Sequence, residues 1–474
     1  MVNVALPTPC TRDTPTAKLG ILFRAARASP DELNFQVLKE YGQFVRWFME
    51  QNLVPLRSVF SFREYVENTH YTRKTKEKMI FFWEEVCREK ISRDAAVKKG
   101  FIKTERYGKF KPARGIHACS LEEKCFAGPV VKSVEYAVFG QLRRYFLKGI
   151  PTDKKARELR ARLFQVGGKY MASDFSVFES SVTTYISELA EIPLFEYMLG
   201  GLAPDVLDYL RRTSSRPRCI RYRKFHVKID GARMSGDLQT SLCNSWINLT
   251  INKFIAFKLG YDIVGVVEGD DGLFRIDGPI PTIDMFAQLG FHSKFELYDD
   301  VGSAGFCKMK FDENNVQVTD FVEKLAKFGW TSAIKASGKT RRNLLYTKAL
   351  SLKAEYPQCP ILGAFADYVL RVLRKEPGVR KLVFDEDRAW NRQKLETAER
   401  WLDVATQVPL STRLFYEHLY SISVTEQLSI ESYFESLEFI CPISHPLILM
   451  RVPNVWFENY DRFVIDNGEV SVDW

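Results

Sequence analysis

The segment Tyr261–Ile276, YDIVGVVEGDDGLFRI, constrains the fold of this chain more than any other. Two apolar, β-branched runs flank a Gly/Asp turn, which is the pattern of a tight β-hairpin. Its tip carries adjacent carboxylates, Asp270 and Asp271. Glycine and aspartate favour turns on conformational grounds alone. With average residue usage, Gly-Asp-Asp arises by chance in a chain of this length with a probability of roughly one in ten. The turn therefore needs partners elsewhere in the chain before it says anything about chemistry.

One partner stands about a hundred residues upstream. YMASDF reads as a short strand ending in Asp174. Carboxylates at the ends of neighbouring strands can share two divalent cations about 4 Å apart, the arrangement that nucleotidyl transfer requires. Mg²⁺ prefers such oxygen ligands, and Mn²⁺ is an alternative. The structural alternative for Asp174 is a helix N-cap.

The remainder of the chain suits a large globule. It has 474 residues, 46% of them hydrophobic and 35 of them Phe, with a net charge of +9. Length alone suggests about three units. Basic residues cluster at Arg73–Lys78, at Lys98–Arg114 and at Arg211–Lys228. Each cluster alone is ordinary solvated surface, but three around one acidic site would form a channel for a phosphate backbone. Nine cysteines, an odd number without a CxxC pair, argue against a disulfide framework and a zinc site, and for a reducing compartment. The six histidines are isolated. No apolar run approaches the length of about 18 residues that a membrane helix needs, and the N-terminus lacks the pattern of a signal peptide.

Periodicity predicts helices over Asp31–Arg93, 153–163, 182–212 and about 238–258, and a strand or hairpin at CIRYRKFHVKI. Residues 1–30, punctuated by Pro7, Pro9, Pro15 and Pro30, read as irregular. After residue 320 the pattern is again helical, with breaks near Pro357, Pro360 and Pro377. A strand-rich centre between helical flanks indicates an α+β fold.

Three segments follow one another in order: MASDFSVFESS, GARMSGDLQTSLCNSWINL and VVEGDDGLF. They resemble motifs A, B and C of the palm of viral RNA-dependent RNA polymerases, in the tombusvirus-, nodavirus- and flavivirus-like groups of positive-strand viruses. ARGIHACSLEEKCFAGPVVKSVE resembles motif F, LGFHSKFE motif D and AGFCKMKF motif E. KFGWT and KALSLKAEYPQCPILGAFADYVLR resemble the start of the thumb in tombus- and noda-like viruses. The resemblance covers roughly residues 100–375 and leaves residues 1–95 and 380–474 without a counterpart.

The resemblance implies a role for each matching residue. Asp174 and Asp270 would be the principal metal ligands, assisted by Asp271. Glu179 and Asn244 would recognise the ribose 2′-hydroxyl, which both donates and accepts a hydrogen bond. The family usually has Asp at the Glu179 position, so this side chain is one methylene longer. Ser235, Gly236 and Thr240 would complete that polar loop, with Gly236 lending it freedom to move. Arg114, Lys124 and Lys132 fall in motif F and would meet the triphosphate. Lys294 would be the general acid for departing pyrophosphate. Lys308 and Lys310 compete for that role but belong with the motif E hairpin. Glu268, just before the turn, reads as a salt-bridge partner or an outward-facing strand residue and not as a ligand.

The implied architecture is a closed right hand. Residues 1–165 would be the N-terminal region and fingers, 166–189 palm, 190–230 a fingers insertion, 231–320 palm, and 321–474 a helical thumb and C-terminal region. The implied partners are template and nascent RNA, NTPs, other viral replication proteins and, through a partner, host membranes. The implied location is the host cytoplasm. Two rivals share parts of the pattern. A reverse transcriptase uses three acids too, but usually carries Tyr-x-Asp-Asp and a bulky steric gate. A non-catalytic RNA-binding or virion protein would account for the basic clusters but has no need of Asp174, Glu179, Asn244 and Asp270 in series.

Overall fold

The computed structural model describes residues 2–26, 33–85, 96–230, 233–331, 335–382, 395 and 407–462. Its centre is a four-stranded antiparallel sheet. The strands are β3 (Lys169–Phe175), β6 (Val264–Glu268), β7 (Asp271–Ile276) and β8 (Ser293–Tyr298), in the order β6-β7-β3-β8. A second four-stranded sheet joins β1 (Lys98–Ile102), β2 (Gly115–Ala118), β4 (Arg218–Arg221) and β5 (His226–Ile229), in the order β2-β1-β4-β5. The pair β4–β5 is the hairpin predicted from CIRYRKFHVKI. A short pair, β9 (Lys310–Phe311) and β10 (Gln317–Val318), follows the central sheet.

Both faces of the central sheet are covered, which explains why VGVV is apolar without alternation. One face, with Met171, Phe175, Val267 and Phe274, joins the largest core. The helix Thr240–Lys258 runs through that core, and every residue from Leu242 to Ala256 is buried. A helix this enclosed must pair the polar side chains it buries, and Ser245, Asn248, Thr250, Asn252 and Lys253 each donate a side-chain hydrogen bond. The other face, with Tyr170, Val266 and Leu273, packs on the helix Thr152–Leu163 and on Phe306, Met309 and Phe311.

A separate core gathers the helices Gly338–Glu355, Leu362–Arg374, Leu410–Tyr420 and Val424–Ser436. Val2, Val4 and Leu6 are buried in it, although they lie at the opposite end of the sequence. The loop between β1 and β2 reaches the same place. Tyr107 donates its N–H to the Pro7 carbonyl (2.9 Å), and the Trp456 indole donates to the Gly108 carbonyl (3.0 Å). The Arg106 guanidinium lies 5.6 Å from the Trp330 ring centre. These contacts link the second sheet to the C-terminal core.

Two stretches depart from the periodicity. The first 30 residues, expected to be irregular, contain the helix Thr14–Gly20 followed by a π-helical turn, Ile21–Ala25. Pro15 sits in the first turn, where its missing N–H costs nothing, and Asp13 caps the Thr16 N–H at 2.7 Å. Prolines that read as breakers therefore begin an element. The expected helix over 182–212 is interrupted by Gly200 and Gly201, at φ 53° and 94°. The helical stretch Asp31–Arg93 resolves into Phe35–Asn52, Phe62–Asn68 and Arg73–Glu85, with its two ends outside the described residues. Gly231 and Ala232 also lie outside them.

Candidate active site

The acids meet through strand register. In the β3–β8 ladder Asp174 pairs with Lys294, and in the β3–β7 ladder Ser173 pairs with Gly272. One step beyond that last pair, Asp174 stands across from Asp271. Glu268 pairs with Asp271 around a two-residue turn, so Asp270 is at the apex of the hairpin. Gly269 has φ 68°, the left-handed conformation that such a turn demands of its first residue. Cross-strand partners point to one face of a sheet, so Asp174, Asp271 and Lys294 share a face and an end.

Electrostatics reflect the crowding. Burial, then the neighbouring Asp270, push the Asp174 carboxyl above its ordinary range, against the pull of Lys294. Burial and Asp270 likewise push Asp271 up to about 6, although a hydrogen bond with the Cys307 thiol works the other way. Glu268 is tied to Lys155 at 2.7 Å, as expected of a salt-bridge residue.

The turn itself is held from the opposite face. The Gly269 N–H donates to Ser245 Oγ at 2.8 Å, and the Asn248 amide donates to the Gly269 carbonyl at 3.2 Å. Asn252 in turn donates to Asn248 Oδ1 at 3.0 Å. The sequence reading missed Ser245 and Asn248. The signal was present, because Asn244, Asn248 and Asn252 recur every four residues and so share one face of the helix.

Glu179 sits on a short helix, Phe178–Ser181, entered through Val177 at φ 61°. A β-branched residue in the left-handed region is strained, and such strain concentrates at functional sites. Here it swings Glu179 out of the strand direction toward a cavity. The cavity is also lined by Arg114 and Ser235, and the Arg233 N–H binds the Glu179 carbonyl at 3.0 Å. Asn244 is buried, and its Oδ1 has no hydrogen-bond partner among the described residues. An orphaned buried acceptor costs stability, and a ligand hydroxyl could satisfy it.

The loop before the helix Thr240–Lys258 is clamped to β2. Ser235 Oγ donates to the Gly115 carbonyl (3.0 Å), Cys119 Sγ to the Gly236 carbonyl (2.9 Å) and Thr240 Oγ1 to the Met234 carbonyl (3.0 Å). A Cβ on Gly236 would meet the His117 carbonyl oxygen at 2.3 Å. Close backbone approach is thus a reason for glycine there that is distinct from loop mobility. Beneath the loop lies a buried ion cluster. Lys98 Nζ is 2.7 Å from Glu123, 2.8 Å from Asp237 and 3.2 Å from Cys119 Sγ. Burial alone would lower the Lys98 pKa, but Asp237 and Glu123 raise it.

The basic candidates separate. Arg114 lines the cavity with Glu179. Lys124 lies 5.3 Å from the Tyr71 ring centre, and Lys132 binds Glu135 at 2.6 Å on its own helix; neither lines that cavity. Lys294 is exposed beside Asp174. Lys310 lies over the Tyr298 ring, and Lys308 stands at φ 65° in the turn before β9.

Two groups could be considered for cations. Cys119, Glu123 and Asp237 bring ligand atoms within 4.8 Å of one another, a cluster that linear spacing hid. The Lys98 ammonium already occupies the place that a metal ion would take there. Asp174, Asp270 and Asp271 fit hard divalent cations such as Mg²⁺ better. They offer oxygen ligands only, and two of them are held above their ordinary pKa by burial and by the adjacent Asp270.

No family model and no curated protein matches the sequence. Solved structures do match the fold. One is the crystal structure of an insertion-loop deletion mutant of the RNA-dependent RNA polymerase of a human picobirnavirus. It superposes with a TM-score of 0.58 at 12% identity, covering 83% of this chain and 80% of that one. The chain therefore has the fold of a viral RNA-dependent RNA polymerase, a mixed α and β architecture around antiparallel sheets.

Proposed function

We propose that this chain is an RNA-directed RNA polymerase that replicates a positive-strand viral RNA by template-directed transfer of nucleotides from NTPs, with release of pyrophosphate. The observation that carries this reading is the convergence of Asp174, Asp270 and Asp271 at one end of the central sheet. In this reading the central sheet belongs to the palm, the second sheet to the fingers and the C-terminal helical core to the thumb.

Asp174 and Asp270, with Asp271 assisting, would hold two Mg²⁺ or Mn²⁺ ions, which neutralise the triphosphate and activate the attacking 3′-hydroxyl. The chain's own residues do the rest. Arg114, with Lys124 and Lys132 farther along motif F, offsets charge that builds on the triphosphate. Glu179 accepts the proton of the ribose 2′-hydroxyl, and the Asn244 amide N–H donates to that hydroxyl's oxygen. Ser235, Gly236 and Thr240 hold the loop that shapes this pocket. Lys294 stands across from Asp174 and gives its proton to the leaving pyrophosphate. Among the described residues no helix is long and apolar enough to cross a membrane, so membrane-associated replication in the host cytoplasm would use another protein as tether.

Extension of a defined RNA template, with and without primer, in Mg²⁺ or Mn²⁺, tests the reading. Template-dependent products from rNTPs are expected. A clear preference for dNTPs would instead make the chain a reverse transcriptase, and RNA binding without synthesis would make it a binding protein.

A further inference from the structure

The N-terminal segment, for which the sequence offered no role, reaches the nucleotide cavity. Its helix Thr14–Gly20 lies against the segment that leads into β2, so closely that a Cβ on Gly20 would meet the Ala113 carbonyl oxygen at 2.5 Å. The π-helical turn Ile21–Ala25 then packs on the helix Phe178–Ser181, which carries Glu179. A π-helical turn displaces side chains from the regular helical spacing and is common at functional sites. Here it brings Arg24 to the cavity lined by Arg114, Glu179, Arg233 and Ser235.

The cations of this cavity are not equivalent. Arg233 is buried in an ion pair with Glu191. Arg114 has Glu105 at 3.9 Å. Arg24 is half-buried and has no hydrogen-bond or ion-pair partner among the described residues, and neither has the Glu179 carboxylate. Burial, then repulsion from Arg114, lower the Arg24 pKa, while the field of Glu179 opposes them. A guanidinium in such a place is stabilised by an adjacent carboxylate, to which it can present a rigid fork of donors.

We propose that Arg24 is a positioning residue for sugar selection, whose guanidinium, facing the same cavity without an ion-pair contact to Glu179, draws that carboxylate by its charge toward the place that receives the ribose 2′-hydroxyl. The inference rests on the polymerase reading with Glu179 at the ribose. Glu179 is one methylene longer than the Asp usual in the resembling family, and a longer arm has one more torsion to fix before it can select a hydroxyl. A lateral cation from the N-terminal segment supplies that restraint. The first 26 residues are then part of the nucleotide site and not only a strap between the fingers and thumb.

The test is single-nucleotide incorporation by the full chain on a primed RNA template, comparing each rNTP with its 2′-deoxy counterpart. The variants are R24Q, R24K, E179Q and the double variant R24Q/E179Q, each with its melting temperature. R24Q is expected to lower the ribose preference about tenfold, the scale of one charge–charge interaction at a partly buried site, mainly through KM for the rNTP. R24K should retain most of the preference, and R24Q should add little in the E179Q background. If E179Q lowers the preference while R24Q leaves it unchanged, or impairs both sugars equally, this inference is overturned and the role of Glu179 stands. If E179Q leaves the preference unchanged, the sugar-selection reading itself falls.

Discussion

Two acidic clusters lie close to the same loop and helix, and they are opposites. Under the loop, Glu123 and Asp237 are buried around the Lys98 ammonium, with Arg218 at 3.5 Å from Asp237. Burial would raise the Asp237 pKa, but Lys98, Arg218 and Arg233 hold it well below the usual carboxylate range. At the end of the central sheet, Asp174 and Asp271 are pushed in the other direction by burial and by Asp270, against the pull of Lys294 on Asp174 and of a Cys307 hydrogen bond on Asp271. The first cluster is complete within the chain. The second is not, which is what the proposed role in holding cations would require. Acidity alone does not mark a site; the balance of charge around it does.

The sharpest way to break this comparison is to remove one acid from the incomplete cluster. D270A is expected to reduce RNA synthesis by about a thousandfold or more, equivalent to roughly 4 kcal/mol of transition-state stabilisation. Binding of a short RNA should change little, because the phosphate-contacting cations remain. Extension and filter-binding assays on the same preparation check this, and retained synthesis would remove the metal assignment.

The complete cluster should respond in stability instead. K98M leaves two buried carboxylates without their cation, a loss of about 3–5 kcal/mol. Chemical unfolding measures it, and K98M/D237N should recover part of the loss. An unchanged unfolding midpoint in K98M would show that the ion cluster does not hold the loop.

A smaller effect is expected between the clusters. S245A removes the acceptor of the Gly269 N–H, at a side chain that is almost fully buried. The orphaned donor should cost about 1–3 kcal/mol, and synthesis should fall further than binding because the turn carries Asp270. Equal loss in both assays would point to general unfolding.

The smallest effect concerns pH. The Asp271 pKa is raised from 3.8 to about 6 in the folded chain. A raised carboxyl contributes stability that is fully present below the unfolded pKa and is lost as pH rises through the folded one. Metal-free protein should therefore lose stability between about pH 4 and 6, and D271N should lose less. Mg²⁺ should stabilise the wild type more above that window than below it, since it competes with the proton for the same oxygens. Melting curves with and without Mg²⁺ across the window check both statements, and a flat difference between wild type and D271N would remove this account of the cluster.

Much of the centre was legible because its signals are local. The β6–β7 hairpin, the strand ending at Asp174 and the helix over about 238–258 each follow from a short run of residues. The α+β class followed from their order. What escaped was non-local or depended on rare backbone geometry. Lys98 lies 25 residues from Glu123 and 139 from Asp237, and their pairing needs β1, β2 and the loop to be folded together. Arg24 escaped because prolines nearby suggested an irregular stretch, and because a π-helical turn has no clear sequence signature. Ser245 and Asn248 were visible as a polar stripe, but not as the brackets of Gly269.

The sequence by itself determined which residues could do chemistry: an acid ending a strand, two more on a tight turn, and polar groups at helical spacing. Those are properties of residue type and short-range periodicity, which the chain carries whether or not it is folded. Only the tertiary structure decided which acids would be neutralised internally and which would stay uncompensated. That outcome depends on burial and on distances between residues far apart in sequence, because both desolvation and Coulomb interactions are set by where the folded chain puts each charge.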